Sequence, residues 1–503
     1  MREIYKDIMN LRNRVFSEVA RIAYADAPFE ELESAAFRLF PNAQGIERDN
    51  VFRQRAIAEE MIRLTMGLGI REFDENVPIT DGFDKVDMDV NVFQIPIVDV
   101  IKFACEGCPE RQHYVTDICQ KCMARPCYNT CPKDAISFKK DRAVIDIDKC
   151  VNCGQCKKVC PYNAIVEYER PCVSVCGVDA IENDENGLAE INHDKCVACG
   201  RCVTQCPWGA IGDKTQIYQL VKALKSKNKK IYAAVAPSYV GQYGDNVTPG
   251  MLREALRQIG FEDMYEVGIG ADMTTLHEAK EYLSDVPAKV PFMGTSCCFS
   301  WSALVELYFP EYMHMISDTG SPMRYTAEHI KKIDPEAIVC FVGPCTSKKA
   351  EAIKTGVREY VDFVITFEEL LGIFTAKGVV PAEVVAEEEI ENSSRSARGY
   401  AQAGGVAAAV KEVAEKLDPT REIKIEGANS LEECIKLLNL AKAGKKDGYL
   451  LEGMACPEGC INGMGTIVSL PKVKRALRNH MKVAEIETPF DNEVVEKVIE
   501  ELQ

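Results

Sequence analysis

The sequence predicts a helical N-terminal stretch, then cysteine-dense α+β units, then an α/β domain built on mostly parallel sheets. Three observations carry this reading. Apolar residues near the N-terminus recur every three or four positions, as on the buried face of a helix. Between Cys105 and Cys206 lie 16 of the 23 cysteines. Past Asn228, short apolar runs alternate with helical patterns, which is how a parallel sheet with crossover helices reads.

At 503 residues the chain is long enough for about three domains. Its formal charge of -17 argues against nucleic acid or an anionic membrane as partner. The opening MREIYKDIMNLRNR is charged and lacks the apolar run of a signal peptide. No stretch approaches the roughly 18 apolar residues of a membrane span. A soluble, cytoplasmic protein is expected, and in that reducing compartment clustered cysteines read as metal sites rather than disulfides.

Residues 1–100 form the support region. Leu11, Val15, Val19 and Ile22 make the stripe of a first helix. Asp26 and Pro28 open a second over FEELESAAFRLF, ended by Pro41. A third is expected from about Glu47 to Met66, closed by Gly67. None holds a cysteine or histidine, so a helical support or docking module is the expectation. From Val77 to Val100 the pattern turns β-rich, and NVFQIPIVDVIKF reads as strands leading into the first cysteines.

Cys150, Cys153, Cys156 and Cys160 followed by Pro161 spell C-x2-C-x2-C-x3-C-P, and Cys196, Cys199, Cys202 and Cys206 followed by Pro207 repeat it. This is the bacterial ferredoxin spacing, in which the fourth cysteine ligates the partner cluster. Each run therefore needs a mate. For the first, Cys119, Cys122, Cys127 and Cys131 supply it, giving cubanes on Cys119, Cys122, Cys127 and Cys160 and on Cys150, Cys153, Cys156 and Cys131. For the second, RPCVSVCGVDAI offers only Cys172 and Cys176, and the missing half is the stranded pair Cys105 and Cys108. Residues 109–170 then form one two-cluster unit inserted in another, within 101–212. The outer unit carries cubanes on Cys105, Cys108, Cys172 and Cys206 and on Cys196, Cys199, Cys202 and Cys176. Four 4Fe-4S clusters in a row imply electron transfer, since one would serve for folding. Structural zinc is the alternative, but zinc does not need the crossed, proline-ended spacing.

Residues 111–160 hold seven Lys and three Arg against five Asp and no Glu, a local +5. Part of this balances thiolate clusters. A face around Lys139, Lys140, Arg142, Lys157 and Lys158 would also suit a small acidic redox protein, with a solvated charge run as the alternative.

In the α/β domain, KKIYAAVA, VPFMG, AIVCFVG, VDFVI and GYLLEG read as buried strands, with helices such as Met251 to Ile259 and one opened by a Thr366–Glu369 capping box. Ligands in such sheets sit at the carboxyl ends of strands. The loops that follow strands here carry Pro237 and Ser238, Cys297 and Cys298, Cys345, and Cys456 with Cys460. The last lies in EGMACPEGCINGMG, whose glycines let the backbone fold closely around something both thiols grip. Cys340, inside a strand, and Cys434, on an amphipathic helix, read as small buried hydrophobes.

Taken together, TSCCFSW (Thr295 to Trp301), GPCTSKKAE (Gly343 to Glu351) and EGMACPEGCINGMG (Glu452 to Gly465) resemble the three signature loops of the FeFe-hydrogenases, over roughly residues 229–480, with 481–503 as a C-terminal helical tail. The resemblance implies two α/β lobes around an active-site H-cluster. It assigns Cys298, Cys345, Cys456 and Cys460 to a cubane, with Cys460 bridging to a two-iron subsite that carries carbon monoxide, cyanide and a dithiolate amine. It implies that Lys348 hydrogen-bonds a cyanide, that Glu351 orients the lysine loop, that Ser238 serves the other cyanide and that Met454 packs on the subsite. Cys297 corresponds to the thiol that relays protons, and Glu278, Glu281 and Ser317 resemble its path to the surface. Dihydrogen and protons as substrates, ferredoxin as redox partner and hydrogenase maturation proteins follow from the same resemblance.

The chain departs from the best-known members at Phe299 and Ser300 after TSCC, at Gly343, at Met323 and in AQAGG, Ala401 to Gly405. These changes are expected to alter the pocket while leaving ligands and relay intact. A non-catalytic iron-sulfur scaffold, a dihydrogen sensor and a plain polyferredoxin are the alternatives. Retention of Cys297, Lys348, Glu351 and Met454 together speaks against the scaffold. No glycine motif for a nucleotide follows a strand.

Overall fold

A computed structural model describes residues 6–42, 50–72, 75–83, 93–226, 228–386, 388, 390 and 392–502. The first helix, Lys6–Tyr24, buries Leu11, Val15, Val19 and Ile22, as its stripe requires. It lies along helix Phe367–Lys377, where a Cβ on Gly372 would stand 2.4 Å from the Cβ of Phe16. Arg12 clasps Glu368 there with two buried bonds of 2.9 and 3.0 Å. The second expected helix splits into a 3-10 turn, Phe29–Ser34, and a short α-helix, Ala35–Leu39. At the break the Ser34 hydroxyl bonds the Glu31 carbonyl at 3.1 Å, a local bond that competes with the helical ladder. The third runs Val51–Thr65, capped by Asn50 and followed by Met66 and then Gly67, the latter in the left-handed region. Its expected start at Glu47 lies outside the described residues, as do Asn91 and Val92 of the expected strands. Within the rest of that run, Val98–Val100 is strand.

The cysteine-rich region holds four antiparallel strand pairs among the described residues. Two are local: Ile136–Phe138 with Ala143–Ile145, and Ile181–Asn183 with Ala189–Ile191. Two close long segments: Gln112–Val115 with Ile165–Tyr168, and Val98–Val100 with Ile211–Asp213.

Farther on, the described strands are β1 (Ile231–Val235), β2 (Asp263–Glu266), β3 (Met293–Gly294), β4 (Ile338–Gly343), β5 (Phe363–Thr366), β6 (Lys424–Ala428) and β7 (Tyr449–Gly453). They form two sheets, ordered β2-β1-β4-β5 and β3-β7-β6, with every pairing parallel. Helices cover their faces. Pro249–Ile259 is capped by Thr248, and Phe367–Lys377 by the Thr366–Glu369 box with both of its bonds formed at 3.2 Å. Cys340 and Cys434 are both fully buried. After helix Leu470–Lys482 the chain stays tied to the domain: Val495 is buried and Asn492 donates to Asp272 at 2.7 Å. No helix among the described residues is long and apolar enough to cross a membrane.

Candidate active site

Four loops leave the carboxyl ends of parallel strands, and the cysteines of three of them, after β3, β4 and β7, come together. After β1 comes the turn Pro237–Tyr239; after β3, Thr295 to Cys298; after β4, Pro344 to Thr346; after β7, Met454 to Cys460. The glycines of the last loop allow the approach. A Cβ on Gly463 would stand 2.6 Å from the carbonyl oxygen of Pro344, while the Gly465 N–H donates to that same oxygen at 2.8 Å.

This brings Cys298, Cys345, Cys456 and Cys460 together. Burial pushes the Cys345 thiol up to about 11, and Cys298 adds to that shift. Burial likewise raises Cys456 and Cys460, and other thiols of the quartet raise them further. Thiols crowded in an apolar site resist ionising alone, and a bound metal cluster supplies the missing positive charge.

Beside the quartet, Lys348 donates to the Cys297 carbonyl at 2.9 Å and to Glu351 at 2.5 Å. Burial lowers its ammonium pKa, but Glu351, Cys297 and Cys345 outweigh burial, so it lies above the ordinary lysine value. Glu351 also accepts from the Ser321 hydroxyl. Two of the three Lys348 N–H donors are thus used by protein, leaving one for a ligand.

Cys297 stands apart from the quartet in its neighbours. Its thiol is raised by burial first, then by Glu278. Glu278 is not a surface carboxylate: it is fully buried, and one oxygen accepts from the Ser296 N–H at 2.7 Å and hydroxyl at 2.9 Å. Burial, with Glu281 and Glu452 nearby, lifts its pKa to about 8. On the same helix, Gly268–Asp285, Glu281 accepts from the hydroxyls of Ser317 and Thr319 and reaches partial exposure.

The fit to an H-cluster rests on the donor set and on buried polar atoms that no protein group satisfies. Four thiols converge, and the Ser238 hydroxyl, the Thr295 hydroxyl and the second oxygen of Glu278 are buried without a protein hydrogen bond. Met454, 2% exposed, belongs to the apolar cluster against which Cys297 and Cys298 pack. The residues present fit the group.

Glu278 also yields a pH prediction. A carboxyl at about 8 in the fold and near its ordinary value when unfolded contributes most to stability in acid. That contribution falls by about 1.4 kcal/mol per pH unit between the two values and levels off above pH 8. Glu278→Gln should lose this slope, so the variant gains on the parent between pH 5 and 8 in denaturation midpoints; parallel curves would refute the assignment.

The other 16 cysteines fall into four groups. Cys119, Cys122, Cys127 and Cys160 line one cavity; Cys131, Cys150, Cys153 and Cys156 a second; Cys105, Cys108, Cys172 and Cys206 a third. Cys176, Cys196, Cys199 and Cys202 are mutual neighbours, the last three raised first by burial and then by others of the group. These are the crossed quartets that the spacing predicts. The 23 cysteines form no disulfide. Among the described residues, no group of three or more His, Cys, Asp and Glu is arranged to hold a single metal ion.

Several residues escaped the sequence reading. Glu452, buried between β7 and the start of helix Gly405–Leu417, accepts from the N–H groups of Gly404 and Ala407 at 2.7 Å each. Tyr400 bonds Thr275 at 2.8 Å within reach of Glu278 and Cys297. Lys349 is buried against Asp213 and Glu369 at 2.6 Å each. None of the three carries a local signal: Glu452 lies 48 and 45 residues from Gly404 and Ala407.

Residues 229–464 match the family model described as iron only hydrogenase large subunit, C-terminal domain. Residues 119–169 and 166–217 match the LdpA Fe-S cluster-binding domain. Iron hydrogenase 1 of Clostridium pasteurianum is 29% identical over 452 residues, covering 78% of this chain and 77% of that protein. The NADP-reducing hydrogenase subunit HndD of Solidesulfovibrio fructosivorans is 27% identical over 373 residues, 63% of this chain and 55% of its own length. A solved FeFe-hydrogenase, studied for oxygen inactivation of its H cluster, aligns with a TM-score of 0.48 at 23% identity, over 57% of this chain and 94% of that one. Residues 229–464 therefore match the C-terminal domain of the iron-only hydrogenase large subunit, and the chain, with ferredoxin-like iron-sulfur domains ahead of that match, is homologous to the FeFe-hydrogenases.

Proposed function

We propose that this protein interconverts dihydrogen with protons and electrons, passing the electrons along a row of 4Fe-4S clusters to or from ferredoxin. The observation that carries the reading is the convergence of Cys298, Cys345, Cys456 and Cys460 with Cys297, Glu278 and the Lys348–Glu351 pair at one set of strand ends. In this reading the thiols of Cys298, Cys345, Cys456 and Cys460 would hold the cluster, and hydrogenase maturation proteins would deliver its two-iron part. When bound, the two-iron subsite supplies the chemistry that splits or forms dihydrogen. The chain's own groups bind and move protons. Lys348 and the Ser238 hydroxyl donate to anionic ligands of the bound group, and Met454 excludes water. Cys297 takes and returns the proton at its Sγ; the free oxygen of Glu278 is its next acceptor, and Ser317 and Glu281 lead onward to solvent.

Neighbour relations support one order for the electron path. Cys199 is a neighbour of Cys456, and Cys202 of Cys172. Tyr168, at the joined end of the inserted unit, abuts Cys108. At that same end Asn152, between Cys150 and Cys153, bonds the Arg111 carbonyl at 2.8 Å. The quartet of Cys119, Cys122, Cys127 and Cys160 is then outermost. Around it Met123 is 96% exposed, with Lys139 and Lys140 also at the surface, whereas Arg142 and Lys157 pair with Asp117 and Glu167.

A cytoplasmic acidic ferredoxin suits this face. Lys139→Glu with Lys140→Glu should raise the KM for ferredoxin roughly tenfold at low salt and flatten its salt dependence, with activity toward a small dye unchanged. Equal KM values in parent and variant would remove the docking face.

The deciding experiment is an infrared spectrum after anaerobic assembly with iron, sulfide and a two-iron precursor. Bands of metal-bound carbon monoxide and cyanide that shift under dihydrogen are expected. Full cubane content without such bands would favour an electron carrier or scaffold.

A further inference from the structure

We infer that Ser300, together with Gly200 and Thr346, fixes the gap between the cluster loop Cys196 to Cys202 and the active-site quartet, and thereby the rate of electron passage across it. The inference rests on the hydrogenase reading above.

Ser300 is 1% exposed, two residues beyond Cys298 in helix Phe299–Tyr308. Its hydroxyl donates at 2.9 Å to the carbonyl of Val197, the residue after Cys196, and lies 2.8 Å from the Ser347 hydroxyl, two residues after Cys345. One oxygen thus ties together loops carrying Cys196, Cys298 and Cys345. Of its two bonds, the one to Val197 crosses to the cysteine-rich region and the one to Ser347 stays within the α/β domain.

Gly200 makes the same boundary tight. It follows Cys199 with φ +70°, and a Cβ there would stand 2.9 Å from both Met464 Cγ and Thr346 Oγ1. Thr346, next to Cys345, donates to Asp213 at 3.3 Å from the other side. Cys176, Cys196, Cys199 and Cys298 accordingly pack against one apolar cluster around Trp301 and Leu304.

Ser300, Gly200 and Thr346 are positioning residues. With clusters bound on both quartets, the part of these residues in passing single electrons across the boundary would be to hold the loops of Cys298 and Cys345 and of Cys196 to Cys202 at a fixed separation; no bond forms or breaks. Tunnelling falls exponentially with the gap, whereas proton transfer at Cys297 does not depend on it.

Ser300→Ala deletes the tie and Gly200→Ala inserts a wedge. The full chain, reconstituted with iron and sulfide and reduced with dithionite, is compared by electron paramagnetic resonance for magnetic interaction between the two clusters. Weaker interaction at unchanged iron content is expected in both variants. In enzyme carrying the two-iron subsite, ferredoxin-linked dihydrogen oxidation should fall on the order of tenfold while hydrogen–deuterium exchange, which exports no electron, stays within about twofold of the parent. Spectra that superimpose on the parent's, or exchange that falls in step with oxidation, would overturn the inference. A parent showing the interaction but no exchange would instead overturn the hydrogenase reading. If Gly200→Ala does not assemble, Ser300→Ala, which removes one oxygen, decides the matter alone.

Discussion

Cys297→Ala is expected to lower dihydrogen turnover about 10²- to 10⁴-fold, the usual scale for loss of a positioned proton carrier, with iron content and infrared bands retained. The two halves of this result come from different atoms. Lys348 holds the main-chain carbonyl of Cys297, so losing the thiol leaves that anchor and the neighbouring quartet in place. The thiol itself stands beside Glu278, whose second oxygen has no protein partner and whose first is fixed by Ser296. Without the sulfur, a proton at the site has no fixed route to that oxygen. Comparing turnover with iron content in the purified variant settles the point: full turnover would remove the relay, and loss of iron would make Cys297 structural.

Lys349→Met is expected to destabilise the protein by about 3–5 kcal/mol, the range for stranding a buried charge. Lys349 is fully buried and donates to Asp213, to the Lys214 carbonyl and to Glu369 at 2.6 to 2.8 Å. Burial lowers its pKa, but the two carboxylates outweigh burial and hold it above the ordinary lysine value, while burial lifts Glu369 to about 7 against the pull of Lys349, so the parent already loses some stability as pH rises toward 7. In the variant this loss is larger. Two carboxylates without a cation resist ionising, so their pKa values rise and the fold loses stability as pH climbs through the range above the ordinary carboxylate value. Denaturation midpoints should therefore show a larger deficit at pH 8 than at pH 5. A deficit under about 1 kcal/mol, the scale of an exposed pair, would show that the ammonium is dispensable.

How much of this was legible in the sequence depended on how local the signal was. Ligand cysteines announce themselves by spacing, and the crossing of each fourth cysteine into the partner quartet follows from the same rule, so all four groups could be written down in advance. Strand-end loops were legible because buried parallel strands read as short apolar runs. The resemblance named Glu278, but its burial left no local mark: in LHEAKEY it reads as half of a solvated pair, while in the fold it is buried and accepts from Ser296. Lys349 sits beside Lys348 in TSKKAE, and nothing local says that one turns toward the thiol loop while the other crosses to Asp213. Ser300 stands out in the sequence only as a departure from the family's loop; its ties to Val197 and Ser347, 103 and 47 residues away, leave no local signal.

The strand pair Gln112–Val115 with Ile165–Tyr168 is in register from Gln112 opposite Tyr168 to Val115 opposite Ile165. The intervening segment therefore departs and returns at adjacent points, and the rest of the molecule meets it as it would meet a hairpin. Closing a longer excursion costs little more than closing a short one, since the penalty grows only with the logarithm of length. Lengthening or shortening such a segment would leave the register of Val98–Val100 with Ile211–Asp213, the pair that closes around it, unchanged.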